Sequence, residues 1–304
     1  MQKDEQMKVF ISRNKRYFFY GIYSVILLIA LLYIRFPSDA FKEYLQETSS
    51  RVSPENVLIV GEVKPAFPAG IKLLGTGLSP KENSDKKYFS ASRIIIRPRI
   101  WACLTGGLNL NFLGDVNEGL LKGSVNFRKN RIGGPFETSI EIKGMHVDGA
   151  SLPSSFTGFD LNGILSGVLS FQTENEQIIT GTGEADISIS EGRIILSNPI
   201  LIFNSIEFDD LSIKCVMEKE KLRLIHFRLK GQDMTGTLSG EIDLRSNILK
   251  SAIDISGAIE LSPGFFKNRK DSSDFIRHFR QLIKNGRLSF VLTGNIGEPR
   301  FRFL

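Results

Sequence analysis

The heptapeptide LSGEIDL at residues 238–244 carries the pattern that decides the fold. Its even-numbered positions hold Leu, Gly, Ile and Leu, and its odd-numbered positions hold Ser, Glu and Asp. Successive side chains of a β-strand point to opposite faces of a sheet, so this segment predicts a strand with one apolar and one polar face. The glycine belongs to the apolar face, where it leaves room for a tight bend or for close packing.

The same arrangement recurs along the chain. It is found in LKGSVNF at 121–127, LSGVLSF at 165–171, GEADISI at 183–189 and ISGAIEL at 255–261. Alternation with period two, interrupted by turn-forming residues, predicts a succession of strands. The predicted strands are 57–63, 70–74, 89–96, 108–112, 119–127, 137–142, 163–171, 181–189, 201–208, 211–217, 222–229, 236–244, 253–261 and 288–292.

One face of these strands stays apolar from strand to strand. Such a face must close on itself, stack on another layer or be filled, because apolar surface against water costs roughly 25 cal/mol per Å². The alternation fits a closed core and an open half-pipe that holds lipid tails equally well, since every half-exposed antiparallel sheet shows it. For the half-pipe, the residues predicted to line an apolar groove are Leu165, Leu169, Phe171, Leu238, Ile242, Leu244, Ile255, Ile259 and Leu261.

A second strong signal is YFFYGIYSVILLIALLYI at residues 17–34, which has no charged side chain and is flanked by Arg16 and Arg35. Eighteen helical residues cover about 27 Å, close to the hydrocarbon thickness of a bilayer. This length predicts an uncleaved transmembrane anchor at 17–36, with a cleaved signal peptide as the alternative. The excess of Lys and Arg before it predicts a cytoplasmic tail at 1–16 and a translocated β domain at 57–304.

Two further helices are predicted. Residues 37–56 are interpreted as a short juxtamembrane helix followed by a polar linker. The helix is capped by Ser38 or Asp39 and has Phe41, Tyr44 and Leu45 on one face, and the linker begins at residue 46.

Near the C-terminus, Phe275, Phe279 and Leu282 recur at helical spacing after a possible cap at Asp271, and Gly286 is a possible C-cap. This amphipathic helix is expected to cover one open end of the sheet.

The sequence contains no recognisable set of catalytic, cofactor-binding or metal-binding residues. Motifs for phosphate loops, nucleophile elbows, zinc proteases and calcium loops are missing, and the three histidines lie far apart. His226 has apolar neighbours and is interpreted as a half-buried structural histidine. The adjacent Asp209 and Asp210 are interpreted as a turn with solvated carboxylates rather than a catalytic pair. The expected protein is not an enzyme and uses no cofactor or metal.

Charge and cysteine content restrict the partners only loosely. The formal net charge of +6 is spread along the chain, which does not favour nucleic acid and fits a weak attraction to anionic headgroups. The two cysteines, Cys103 and Cys215, lie in apolar segments. They could pair in an oxidising compartment or remain buried free thiols.

Short motifs near both ends of the chain resemble the GspN family of type II secretion system proteins. They are FPSD at 36–39, FKEYL at 41–45, VKPAFPAGI at 63–71 and LTGNIGEPRF at 292–301. The last motif is also similar to the final strands of the wider AsmA-like group. The glycine-containing pattern fades between residues 197 and 233, which leaves the continuity of any groove open there.

The resemblance implies a single-pass inner-membrane protein of a diderm bacterium, with its β domain in the periplasm. For the AsmA-like group it also implies a taco-shaped groove associated with phospholipid movement or envelope assembly. The predicted fold class is mainly β: a single transmembrane helix, an elongated, curved antiparallel sheet forming a half-pipe, and one C-terminal amphipathic helix.

The predicted function is a non-enzymatic, accessory or structural component of type II secretion. A phospholipid-transfer conduit or envelope-assembly factor and an envelope hydrolase stay open as alternatives. The candidate partners are the inner membrane, other secretion components and phospholipid.

Overall fold

The computed structural model of the chain describes all residues except 1, 53–54, 82–86, 105–106, 129–133, 150–158, 176–177, 201–202, 263–282 and 284–285. Side chains are also left undescribed at 2–16, 32, 52, 103–104, 159, 197–200 and 203–204. The predicted C-terminal helix therefore lies almost wholly outside the described residues, with Ile283 as an exception.

The described residues contain three α-helices: α1 (Gln2–Ile34), α2 (Ser38–Val52) and α3 (Ile100–Leu104). Helix α1 runs through both the predicted tail and the predicted anchor. Within the described part of the chain, no helix has the combination of length and hydropathy required of a membrane span. The anchor at 17–36 stays a prediction.

The described residues also contain fourteen strands. They are β1 (Asn56–Pro65), β2 (Ile71–Pro80), β3 (Phe89–Pro98), β4 (Leu108–Val116), β5 (Gly119–Phe127), β6 (Phe136–Val147), β7 (Phe159–Gln172), β8 (Thr182–Ile200), β9 (Phe203–Glu218), β10 (Lys221–Lys230), β11 (Met234–Asp243), β12 (Ala252–Leu261), β13 (Arg287–Asn295) and β14 (Glu298–Phe303). The prediction of a mainly β chain is confirmed.

The strands form one antiparallel sheet in which each strand pairs with its neighbours in the sequence. Tight two-residue turns make this possible: Asn117 and Glu118 between β4 and β5, and Lys219 and Glu220 between β9 and β10, all have positive φ. Two consecutive positive φ values are typical of the type I′ turn, whose twist matches that of the strands it joins. No pairing joins β1 to β14 among the described residues, so the sheet is open.

The region between β8 and β11 differs from its sequence signals. Residues 203–208 and 211–217, from two segments predicted as separate strands, belong to the single strand β9, and Asp209 and Asp210 are exposed strand residues rather than a turn. Strand β8, which is 19 residues long, pairs along β9 and supports it across this point. Pairing also continues through β10 to β11, so the ladder crosses the region where the glycine pattern fades.

A small core forms where α2 packs on the first two strands. Val60, Val63 and Leu73 are buried there, and Phe41 and Leu45 of α2 pack against them. Residues 46–52, predicted as linker, continue α2 because this amphipathic face has a sheet to cover.

A larger core lies in the second half of the sheet. Its buried members are Leu161, Ile189, Phe208, Leu211, Leu229, Met234 and Leu288. It extends from β7 to β13, and Ile283 packs against it. Ile283, just before β13, therefore lies against the sheet.

Candidate functional site

The strand register places apolar side chains on one continuous face of the sheet. Directly paired residues of an antiparallel ladder share a face, so lines of pairs can be followed from strand to strand. One line runs through Pro98, Leu110, Val125, Thr138, Phe171, Gly183, Met217, Leu222, Ile242, Ile253, Gly294 and Pro299. It crosses β3 to β14 without meeting a charged side chain. We call the side of the sheet marked by this line the apolar face.

Eight of the nine predicted groove residues lie in strands on the apolar face. Leu165, Leu169 and Phe171 come from β7, Leu238 and Ile242 from β11, and Ile255, Ile259 and Leu261 from β12. Leu244, the ninth, directly follows β11. All nine are partly exposed, neither fully buried nor fully accessible.

Glycines on the apolar face, three of them from the repeated pattern, provide space for neighbouring rings. Four Phe–Gly pairs face each other across adjacent strands: Phe112 and Gly123, Phe171 and Gly183, Phe208 and Gly192, Phe290 and Gly257. In each pair, a Cβ on the glycine would lie within 3.0 Å of a ring carbon. The ring therefore fills the space that the glycine leaves. Sequence reasoning predicted the space but not its aromatic occupant.

At Gly167 the neighbour is main chain rather than a ring. A Cβ there would lie 2.6 Å from the Asp186 carbonyl oxygen and 3.0 Å from the Ile187 Cα. Strand β8 therefore approaches β7 at a distance that only glycine permits.

The opposite face of the sheet carries cross-strand ion pairs. Arg93 and Asp115 are 2.8 Å apart, and Arg287 and Glu260 are 2.6 Å apart. A hydrogen bond and the charge of Glu184 raise the pKa of Lys214, which lies 2.9 Å from that carboxylate. These groups are largely exposed, so each pair adds little stability. Their placement keeps charge away from the apolar face.

Helix α2 covers the apolar face at its β1 end. Val60, on this face, is 1% exposed beneath α2. The helix also reaches the free edge of β1, where Lys42 Nζ donates to the Gly61 carbonyl at 3.2 Å and Gln46 Nε2 donates to the Leu58 carbonyl at 3.4 Å. Covering an edge in this way prevents a further strand from adding to it.

Cys215 lies on the apolar face, opposite Ala185 of β8. Its thiol is free, and the side chain of Cys103 is not described. Burial raises the pKa of the Cys215 thiol, opposed by a backbone hydrogen bond with Ala185. Sequence reasoning left open whether this cysteine pairs, and it did not assign the residue to the groove.

Among the described residues, the side chains that could bind a metal ion do not cluster at one site. This part of the chain contains no group of three or more His, Cys, Asp and Glu side chains placed to hold a metal ion. The interpretation of His226 as half-buried is wrong: its side chain is exposed, with Nε2 3.4 Å from Ser212 Oγ. A register shift between Leu224 and His226 explains the difference, because it changes which face the following residues occupy.

No family model matches the chain, and neither a curated protein nor a solved structure shows a significant similarity to it. The resemblance to the GspN family stays a prediction.

Proposed function

We propose that this protein is a membrane-anchored lipid carrier that binds acyl chains along its apolar face. The observation that carries the proposal is the unbroken line of uncharged paired residues across an open sheet, with the nine predicted groove residues only partly covered. In this proposal the apolar face lines the concave side of the half-pipe.

The chemistry of the face favours hydrocarbon chains as ligands. Backbone donors and acceptors inside the sheet are already paired with neighbouring strands, and the exposed side chains along the face are mainly aliphatic and aromatic. A peptide would leave its own polar groups unpaired there, whereas each buried methylene contributes about 0.8 kcal/mol.

The dimensions are also suitable for moving a lipid out of a membrane. Fourteen strands give thirteen steps of about 4.8 Å, or roughly 60 Å across the sheet. A bilayer has a hydrocarbon core of about 30 Å, so the face is long enough to shield a lipid well beyond it.

Residues 17–34 supply the proposed attachment to the bacterial inner membrane, with the β domain in the periplasm. Large apolar side chains on all sides of this part of α1 are exposed, among them Phe18, Tyr20, Ile26 and Leu28. A helical segment that is apolar all round and exposed over most of its length is most stable when lipid surrounds it.

A non-enzymatic structural role in type II secretion is the second candidate. It is supported by the short motifs shared with the GspN family. Both roles place the β domain on the outer side of the inner membrane, and they differ in whether lipid occupies the apolar face.

Photo-cross-linking at two adjacent positions of β7 distinguishes the carrier role from the secretion role. A benzoylphenylalanine at Leu169 reports from the apolar face, and one at Val168, which is 52% exposed on the opposite face, serves as the control. Lipid adducts at 169 and none at 168 are expected by mass spectrometry of protein purified from cells. Equal or absent adducts at both positions would overturn the carrier proposal and leave the secretion role.

A further inference from the structure

A group of exposed apolar residues lies at one rim of the sheet. Phe67, in the β1–β2 turn, is 71% exposed, and Trp101, in α3 between β3 and β4, is 79% exposed. Ile100 beside it is 46% exposed. Large rings in such exposed positions are unfavourable in water unless another phase or partner receives them.

The β1–β2 turn and helix α3 are neighbours at this rim. Ile71 at the start of β2 pairs with Ile96 near the end of β3, so the preceding turn and the following helix leave the sheet side by side. The turn also approaches β3 closely, since a Cβ on Gly70 would lie 2.9 Å from Arg97 Cγ.

Helix α1 ends beside this rim. The ring centroids of Tyr33, in its last turn, and Phe67 are 6.5 Å apart. The proposed anchor thus leaves the membrane next to the exposed rings.

Positive charge accompanies the rings. Arg97 and Arg99 are both exposed at the end of β3 and just after it. Aromatic rings together with arginines are typical of the membrane interface, where the rings enter the headgroup layer and the guanidinium groups meet phosphates.

We propose that Phe67, Arg97, Arg99, Ile100 and Trp101, here called the tip patch, dock on the anionic headgroup layer of the leaflet from which α1 emerges. The inference rests on the proposed membrane anchor and adds a second contact to it. The occupant is the bilayer surface because the patch adjoins the apolar helix and combines rings with positive charge. This contact fixes which rim of the sheet faces the membrane.

Trp101 is the only tryptophan in the chain, so its fluorescence reports on the tip patch alone. The full chain is reconstituted in vesicles of phosphatidylcholine and phosphatidylglycerol, with and without brominated phosphatidylcholine. Blue-shifted emission that bromine quenches is the expected result. Emission at the wavelength of a water-exposed tryptophan, unaffected by bromine, would overturn the inference. This holds even if Trp101 cross-links to a protein in cells.

Charge reversal provides the matched test. Each of Arg97→Glu and Arg99→Glu should weaken docking about fivefold or more and reduce the quenching, since one basic residue near an anionic surface contributes about 1 kcal/mol. Lys230→Glu, an exposed residue at the opposite rim, should leave quenching unchanged. Equal effects of all three variants would contradict the tip patch.

Flotation of the vesicles separates this inference from the proposed function. If the full chain fails to float with vesicles, the anchor itself is wrong. If the chain floats and lipid adducts form at 169 while Trp101 stays in water, only the tip patch is wrong.

Discussion

Gly167 controls how closely two long strands approach each other. The Asp186 carbonyl oxygen lies where a Cβ would be, and a backbone atom cannot turn aside as the end of a side chain can. The same pattern repeats at other glycines of the apolar face, so their role is steric and does not depend on positive φ at every site. The sequence predicted close packing at these positions because glycine lies among apolar residues at period two.

Gly167→Ala should lower the free energy of unfolding by roughly 1 to 3 kcal/mol, because the methyl group forces β8 away from β7. Gly236→Ala on the same face is the control, since its Cβ would meet only the Leu229 Cβ at an ordinary 3.7 Å. Urea unfolding of the purified chain measures both. Equal destabilisation of the two variants would contradict the steric role of Gly167, because position 236 has room for a methyl group.

Leu169→Asp tests whether the apolar face is open at the level of a single residue. Leu169 is partly exposed, so an aspartate there keeps contact with water, and we expect folding to survive. Ile189→Asp, at a position 4% exposed, should unfold the protein, since burying an unpaired charge costs about 4 kcal/mol or more. Protease resistance and steady-state level distinguish the two. Degradation of Leu169→Asp would indicate a closed core at that position.

Cys215 provides a titratable probe of the same face. Because burial raises the pKa of its thiol, the reactive thiolate is scarce at neutral pH, and maleimide labelling should keep accelerating above the pH at which an ordinary cysteine levels off. The measurement uses a Cys103→Ser background. Val168→Cys in a chain lacking both native cysteines is the exposed control. Identical pH profiles for the two thiols would contradict burial at Cys215.

At the scale of elements, α2 determines how the sheet begins. Its apolar side chains cover the first two strands while Lys42 and Gln46 hydrogen-bond the outer edge of β1. The sequence indicated the helix start and its apolar stripe but assigned residues 46–52 to a linker, because polar composition alone does not reveal a nearby sheet. Two predicted strands merge into β9 for a similar reason, because a neighbouring strand is not visible in the local sequence. Pairing with β8 outweighs the turn signal of Asp209 and Asp210.

Leu45→Ala should destabilise the β1 end by roughly 2 kcal/mol, because it removes apolar contact with buried Val60 and Val63. Faster amide hydrogen exchange confined to β1 and β2 is the expected readout. Tyr44→Ala, next to it and 64% exposed, should cost less than about 1 kcal/mol. Exchange that rises evenly through all strands would show that α2 supports the whole sheet instead.

At the scale of the whole molecule, the open ladder is the property that sequence reasoning could not decide. Alternation with period two identifies which residues share a face within one strand. The register of strand pairing then joins these faces across the sheet. Closure depends on whether β1 meets β14, and neither strand carries a signal for or against that pairing. The nine residues could therefore be assigned to one face from the sequence, while the choice between an open and a closed sheet had to come from the structure.

If the apolar face carries lipid as proposed, a continuous path along it has a consequence for transport that a set of separate binding sites lacks. Ile242→Asp, on β11, should reduce lipid transfer between vesicles as strongly as Leu169→Asp, on β7, and the double variant should be no worse than either. One interruption suffices to block a single route. Ser239→Asp, on the opposite face, should have no effect. Additive partial losses would indicate independent sites.

Pairing of each strand only with its neighbours in sequence also governs how the protein is made. No strand waits for a partner that is synthesised much later, because each hairpin can join the growing ladder as soon as its second strand has been made. Synthesis order and assembly order then coincide, with α2 in place as the starting template. Hairpins could likewise be gained or lost without altering the cross-section, so the reach of the molecule is set by the number of its repeats.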